Sequence, residues 1–112
     1  MKYTQFNPRQ FEAHQIAYDL VPVGSRVLDV GCATGYRAKE LAMKNCRVTG
    51  IEKDLQAATK ARTYCDRVVV GDLERTKNIS LPSRAFDCVL LLDVLEHIMA
   101  REQLLFAVRR WL

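Results

Sequence analysis

Residues 26–36, Arg-Val-Leu-Asp-Val-Gly-Cys-Ala-Thr-Gly-Tyr, decide the fold of this 112-residue chain. The stretch opens with an apolar run, Val27, Leu28 and Val30, that is typical of a parallel strand buried on both faces. The glycines that follow lack a Cβ, so they permit a tight turn and let backbone amides approach a ligand closely. A helix that begins after the turn favours a bound anion at those amides. We therefore predict a strand, a ligand-binding turn and a helix.

The spacing of the glycines favours one class of ligand over another. Dinucleotide-binding turns read G-x-G-x-x-G, whereas Gly31, Ala33 and Gly35 occupy alternate positions and Asp29 lies two residues before the first of them. The stretch resembles motif I of the class I S-adenosylmethionine (SAM) dependent methyltransferases, D-x-G-x-G-x-G, with Ala33 in place of the middle glycine. A buried carboxylate is costly when unpaired, so Asp29 needs a local partner or a ligand.

Length and composition are those of one ordinary globular domain, which we expect to span residues 1–112. The chain is 49% hydrophobic and 27% charged, a balance that argues against disorder. Its longest apolar run, residues 88–92, is too short to span a bilayer, and residues 1–6 lack the apolar stretch of a signal peptide. We therefore expect no membrane span and a cytoplasmic location.

The cysteines and the basic residues indicate no special chemistry. The four cysteines, at positions 32, 46, 65 and 88, form no C-x-x-C pair, so we expect small buried hydrophobic side chains rather than disulfides or a zinc site. The net charge of +4 comes from basic residues spread along the chain, of which only Arg109 and Arg110 are adjacent. This pattern favours a solvated surface, and we expect no nucleic-acid partner.

Four acids lie at or just after the carboxyl ends of predicted strands, where open parallel sheets bind their ligands. They are Asp29, Glu52, Asp72 and Asp93. Such a rim suits a ligand that is rich in hydroxyl and amino groups and carries positive charge. Glu52 follows the glycine turn by about twenty residues, which places it to accept hydrogen bonds from ribose hydroxyls. A helix-terminal acid is the alternative role, but Asp54 already fills that position.

The remaining pattern predicts alternating helices and strands. A first helix has Asn7 as its cap, Pro8 at its first position and a stripe of Phe11, Ile16, Ala17 and Leu20. We expect His14 to be a partly exposed helix residue. The later helices are predicted over residues 35–44, 55–64 and 100–112, and the later strands over residues 47–51, 67–70 and 86–92. Right-handed crossovers then give an α/β parallel sheet in the order 3-2-1-4.

A second stretch strengthens the resemblance. Asp-Val-Leu-Glu-His at residues 93–97, following Phe-Asp-Cys-Val at residues 86–89, is similar to the methyltransferase subgroup that includes the ubiquinone-biosynthesis enzymes. The two motifs and the acids between them cover nearly the whole chain in the family's order. The resemblance implies a Rossmann-like, three-layer αβα domain that ends before the last three strands of the family fold, with SAM lying across the strand ends.

The resemblance also implies roles for individual residues. The amides of the turn would bind the carboxylate of SAM, and Asp29 would bind its amino group. Glu52 would bind the ribose, and Asp72 and Leu73 would bind the adenine. The residues implied to bind the cofactor are Asp29, Gly31, Cys32, Ala33, Gly35, Glu52, Lys53, Asp72, Leu73, Leu92 and Asp93.

Three roles remain open for Asp93, Glu96 and His97, which a helix would place on one face. In the first, Asp93 caps the helix and Glu96 takes the matching capping position. In the second, Leu92 and Asp93 line the methionine end of SAM while Glu96 or His97 orients or deprotonates the methyl acceptor. In the third, the three side chains bind a divalent metal, as a Glu-x-x-Glu-His sequence does in related magnesium-dependent O-methyltransferases.

The function implied by the resemblance is transfer of a methyl group from SAM to a small-molecule acceptor by direct displacement. Such a reaction can rest largely on proximity and alignment, so it needs no nucleophilic triad. A SAM-binding module that does not catalyse, or that needs a missing C-terminal region, is the alternative. Strand four would then be an apolar edge, which we expect a second copy, the last helix or further chain to cover.

Overall fold

The structure, a computed structural model, describes residues 8–112, with side chains from residue 12 onward. The predicted cap Asn7 and the side chain of Phe11 lie outside the described residues. The elements are α1 (Pro8–Leu20), β1 (Arg26–Val30), α2 (Tyr36–Leu41), β2 (Arg47–Glu52), α3 (Leu55–Ala61), β3 (Arg67–Val70), β4 (Cys88–Leu90) and α4 (Arg101–Trp111). Short 3-10 turns span Ala42–Lys44, Thr76–Asn78 and Leu95–His97.

The strands form one parallel sheet in the order β3-β2-β1-β4, which confirms the predicted topology. β1 is the central strand, with Val27 opposite Val48 on one side and Cys88 on the other. β4 pairs with β1 alone and so lies at one edge of the described sheet. Because all strands run in the same direction, their carboxyl ends meet at one rim, where the predicted site residues are brought together.

Helices cover both faces of the sheet, which confirms the three-layer arrangement. Val27 and Val48 pack with Leu41 of α2 and Ala58 of α3 on one face. On the other face Leu28, Val30 and Ile51 pack with α4, whose Leu104, Ala107, Val108 and Trp111 are buried. Neighbouring residues of β1 thus serve opposite layers, as the alternation of side chains along a strand requires.

The stripe predicted for α1 is wrong in part. Ala17 is half-buried against the core, but Ile16 is 59% exposed and Leu20 is 75% exposed. The helix packs instead through Ala17 and Tyr18, whose ring lies 4.7 Å from the Nζ atom of Lys44. The backbone carbonyl of Tyr18 also accepts a hydrogen bond from that Nζ at 2.6 Å. These contacts fix the face of α1 that meets the core and leave the larger aliphatic side chains outside.

Strand four is shorter than predicted. It covers three residues rather than residues 86–92, because the amide of Phe86 donates to the carbonyl of Trp111 at 3.2 Å instead of to a neighbouring strand. At the other end, Asp93 has a φ of 55°, which turns the chain out of the extended conformation. Two predicted helices are likewise shortened: α2 passes into a 3-10 turn and α3 ends at Ala61.

The predicted burial of the cysteines is confirmed for three of the four. Cys32, Cys46 and Cys65 are buried, Cys88 is half-buried, and all four are free thiols.

Within residues 8–112, no helix combines the length and the apolar content needed to cross a membrane.

Candidate functional site

The turn after β1 depends on left-handed backbone at three alternate residues. Gly31 has a φ of 72° and Gly35 a φ of 86°, and a Cβ on Gly35 would lie 2.9 Å from the Cα of Ala61. The turn is therefore wedged against α3 at a distance that only glycine allows. Ala33, in place of the motif's middle glycine, keeps the same handedness with a φ of 51°. The substitution preserves the shape of the turn at the cost of backbone strain.

Four amides of the turn donate within the chain. The amides of Gly31 and Cys32 both donate to the carbonyl of Ile51 at 2.9 Å, and that of Gly35 donates to the carbonyl of Cys32 at 3.0 Å. The amide of Ala33 donates to Oε1 of Glu52 at 2.8 Å. These bonds tie the turn to the end of β2. The expected contact of the turn amides with a ligand carboxylate stays a prediction.

Asp29 has the local partner that its burial requires. Its side chain is fully buried, and both carboxylate oxygens lie 3.0 Å from Nε of Arg37. Nη2 of Arg37 also donates to the carbonyl of Gly31 at 2.9 Å, and Nη1 donates to the hydroxyl of Tyr36 at 2.6 Å. Burial raises the pKa of Asp29, and the charge of Arg37 opposes that rise. The predicted role of Asp29 toward a ligand amino group stays a prediction.

Glu52 ends β2 with both carboxylate oxygens engaged by the backbone. Oε1 accepts from the amide of Ala33 at 2.8 Å and Oε2 from the amide of Asp54 at 3.0 Å. A carboxylate offers about four acceptor positions, so each oxygen can accept a further hydrogen bond. Asp54 caps α3 by accepting from the amide of Gln56 at 3.1 Å, as predicted. Glu52 is thus held in place and still able to receive donors from a ligand.

An open cleft of about 240 Å³ lies at the ends of β2 and β3. Its lining includes the predicted site residues Gly31, Glu52, Lys53, Asp72 and Leu73, together with His97. Asp72 accepts from the amide of Glu74 at 2.9 Å, and the Nζ atom of Lys53 lies 3.6 Å away. The Glu74 amide, with a smaller contribution from Lys53, lowers the pKa of Asp72. The cleft therefore presents two carboxyl side chains, each held by backbone amides.

The helix that would place Asp93, Glu96 and His97 on one face does not form. Asp93 is left-handed and lies outside the Leu95–His97 turn, whose cap residue is Val94 with no side-chain hydrogen bond. The capping pair is therefore absent, because the backbone at Asp93 breaks the helical spacing that it needs. Glu96 and His97 contact each other at 3.4 Å.

The structure does not bring the three side chains of the metal alternative together. In the part of the chain that the structure describes, no group of three or more His, Cys, Asp or Glu side chains is placed to hold a metal ion. His97 instead faces the cleft, while Asp93 points to α1.

A family described as methyltransferase domain matches residues 28–112, which is most of the chain. The chain belongs to this methyltransferase family. Over 79 residues it is 35% identical to a ubiquinone biosynthesis O-methyltransferase of Methylocella silvestris, a match that covers 68% of this chain and 31% of the relative. Over 104 residues it is 29% identical to the S-adenosyl-L-methionine-dependent Diels-Alderase iccD of Talaromyces variabilis, covering 87% of this chain and 36% of the relative.

The fold of the methyltransferase domain agrees with a solved structure. An S-adenosylmethionine dependent methyltransferase from Mesorhizobium loti matches it with a TM-score of 0.73 at 22% identity, over 92% of this chain and 48% of that protein. The domain spans about a third of the length of the two curated relatives, at 31% and 36%. Family membership identifies S-adenosylmethionine as the cofactor.

The cleft of the methyltransferase domain fits the adenosyl part of this cofactor. Ribose hydroxyls and the adenine amino group are donors, and Glu52 and Asp72 present carboxylate oxygens to the same space. Cys32, Ala33 and Gly35 belong to the turn beside the cleft, and Asp29 is buried within β1. Leu92 and Asp93 lie elsewhere, at the end of β4.

The sequence did not predict three residues that lie near the carboxyl ends of β1 and β4. His14, Tyr36 and Arg37 lie around the ends of β1 and β4, where His14 and Arg37 share with Leu92 a small pocket of about 10 Å³, which is room for a single water molecule. Nε2 of His14 lies 3.1 Å from Oδ2 of Asp93, and its ring stacks on that of Tyr36. The need of buried Asp29 for a partner was a signal for Arg37, but nothing local indicated the contact of His14 with Asp93.

Proposed function

We propose that this domain binds SAM for transfer of its methyl group to a small-molecule acceptor. The observation that carries the proposal is the convergence of Glu52 and Asp72 on one cleft beside the glycine turn. The two acids come from different strands and lie 20 residues apart in the sequence. Their meeting matches a ligand that carries a ribose diol and an adenine amino group at fixed separation.

The residues of the cleft divide the binding task between them. Glu52 would accept from both ribose hydroxyls, since each of its oxygens keeps acceptor capacity beyond its backbone amide. Asp72 would accept from the adenine amino group, with the backbone of Leu73 beside it. Lys53 is 75% exposed and its Nζ lies near Asp72, so it limits the negative charge at the adenine end.

The bound cofactor supplies an electrophilic methyl group on a sulfonium centre. The chain has to align an acceptor with that group, and alignment alone can supply much of the rate. A fixed cleft at the strand ends suits this task, because Glu52 and the turn are tied together by hydrogen bonds before any ligand arrives. The name of the Methylocella relative, an O-methyltransferase, supports an oxygen acceptor.

Calorimetric titration of the chain with SAM, S-adenosylhomocysteine and NAD tests the ligand. We expect both adenosyl sulfur ligands to bind and NAD not to bind. Equal binding of NAD, or no binding of either sulfur ligand, would contradict the proposal.

Transfer of the tritiated methyl group from SAM to a panel of phenols and amines tests the reaction. Assays with added magnesium and with EDTA test the metal alternative in the same experiment. Binding of SAM without transfer to any acceptor would reject the catalytic part of the proposal and leave a SAM-binding module.

A further inference from the structure

A pair of side chains at the end of β4 is not explained by the binding of the adenosyl group. His14 of α1 and Asp93 are 79 residues apart in sequence, yet Nε2 lies 3.1 Å from Oδ2. The imidazole also stacks on Tyr36, with ring centroids 6.1 Å apart and planes inclined by 25°. The His14 side chain is 19% exposed and that of Asp93 is 36% exposed. This His14 cluster, consisting of His14, Tyr36 and Asp93, is thus held by three segments and is still accessible.

The His14 cluster lies where the reacting end of the ligand is expected. Open parallel sheets bind ligands at the point where the strand order reverses, which here is between β1 and β4. Tyr36 follows the turn after β1, and Asp93 follows β4. Glu52 is the last residue of β2, and Asp72 follows β3. A ligand whose adenosyl group occupies the cleft therefore places its other end toward the cluster.

Resting on the proposed function, we propose that His14 is the general base of the methyl transfer. The acceptor oxygen or nitrogen forms a bond to the methyl carbon, the carbon–sulfur bond breaks with its electron pair left on sulfur, and the acceptor proton passes to Nδ1 of His14. Nε2 donates to Oδ2 of Asp93, which fixes the tautomer that leaves Nδ1 as the acceptor of the proton. Asp93 then stabilises the imidazolium that forms.

The charged groups near the His14 ring come from β1, from α2 and from the segment after β4. Asp93 follows β4, Asp29 lies in β1, and Arg37 and Glu40 belong to α2. Asp29 and Arg37 neutralise each other through contacts of 3.0 Å. The carboxylate in direct contact with the imidazole is that of Asp93.

The base suggested by the sequence motif is placed less well. Glu96 and His97 have side chains that are 56% and 47% exposed, and they contact each other at 3.4 Å. His97 lines the adenosyl cleft, whereas His14 lines the separate pocket beside Leu92. The two histidines of the chain therefore line different cavities, and His14 is the one that contacts Asp93 after β4.

The kinetic test compares His14→Gln with Asp93→Asn, His97→Gln and the exposed control Gln15→Ala. The probe is transfer of the methyl group from SAM to 3,4-dihydroxybenzoate, with SAM affinity measured by calorimetry. We expect His14→Gln to lower kcat by about 100-fold or more, to abolish the acidic limb of its pH profile and to leave SAM affinity within about twofold. Asp93→Asn should lower kcat less, and Gln15→Ala should match the parent.

A second readout does not depend on turnover. In the histidine-labelled chain, the ring nitrogens of His14 can be assigned by comparison with His97→Gln, because the chain has only two histidines. We expect a protonated Nε2 and an unprotonated Nδ1 at alkaline pH, with altered shifts in Asp93→Asn. A protonated Nδ1 would overturn the inference whether or not the probe is methylated.

The outcomes separate this inference from the proposed function. Equal kcat in the parent and His14→Gln, or loss of the acidic limb in His97→Gln alone, would overturn the role of His14 while methyl transfer stands. Failure of the parent chain to bind SAM would instead overturn the proposed function.

Discussion

The two ends of the candidate site hold their carboxylates in different ways. In the cleft, Glu52 and Asp72 are fixed by backbone amides at 2.8–3.0 Å and keep acceptor capacity for a ligand. At the β1–β4 end, Asp29 is buried against the guanidinium of Arg37. Amide donors leave the charge of a carboxylate in place, whereas a cationic partner cancels it. The comparison shows one end built to receive hydrogen-bond donors and another built to keep its own charges paired.

The largest effect, on stability, should follow from breaking the Asp29–Arg37 pair at the β1–β4 end. Arg37→Met leaves the fully buried carboxylate of Asp29 without a cation, so we expect the free energy of unfolding to fall by about 3–5 kcal/mol. Urea unfolding measures this loss. Lys39→Met, which removes an exposed cation from the same helix, is the matched control. A loss below about 1 kcal/mol in Arg37→Met would show that the pair is not needed to bury Asp29.

The same variant should have an altered pH dependence. Burial raises the pKa of Asp29 in the folded chain above its ordinary value of 3.8. A carboxyl group with a raised folded pKa binds more protons folded than unfolded, so its contribution to stability falls as the pH rises above 3.8. Without Arg37 to oppose this effect, the deficit of Arg37→Met relative to the parent should be largest near neutral pH and should narrow toward pH 4. Urea midpoints across this range measure it, and a deficit that widens on acidification would contradict the assignment.

A substitution in the cleft should change the affinity for the ligand. Glu52→Ala removes charge-assisted hydrogen bonds to the ribose that are worth about 1.5–3 kcal/mol each, so we expect SAM to bind at least about 10-fold more weakly. Calorimetry measures the change, with Glu102→Ala on α4 as an exposed control. Glu52→Gln, which keeps one acceptor oxygen, should lose less. Unchanged affinity in Glu52→Ala would remove the ribose assignment and with it the contrast between the two ends.

The smallest effect, again on stability, should come from a substitution in the glycine turn after β1. Ala33 has a left-handed backbone, which costs a residue with a Cβ about 1–2 kcal/mol, while glycine costs about 0.5–1 kcal/mol of chain entropy. Ala33→Gly should therefore stabilise the domain by about 0.5 kcal/mol in thermal or urea unfolding. Ala57→Gly, inside α3, is the control and should destabilise it by about 1 kcal/mol. A loss of stability in Ala33→Gly would show that the turn is not strained.

The cleft could be predicted because each of its acids is local to the end of its own strand. Glu52 and Asp72 need only the apolar runs that precede them and the rule that parallel strands end at one rim. The contact of His14 with Asp93 could not be predicted in this way, because it depends on how α1 packs beside β4. The left-handed backbone of Asp93 was a second obstacle, since residues other than glycine seldom adopt it.

The sequence by itself determined the parallel sheet, its order and the residues that meet in the cleft. These features follow from short-range patterns: apolar runs, glycine spacing and the handedness of crossovers. Only the tertiary structure decided which charges pair, which face of α1 meets the core and which histidine lies near the end of β4. Those outcomes depend on distances between segments far apart in the chain, which are set when the helices pack on the sheet and the buried carboxylate of Asp29 takes Arg37 as its partner.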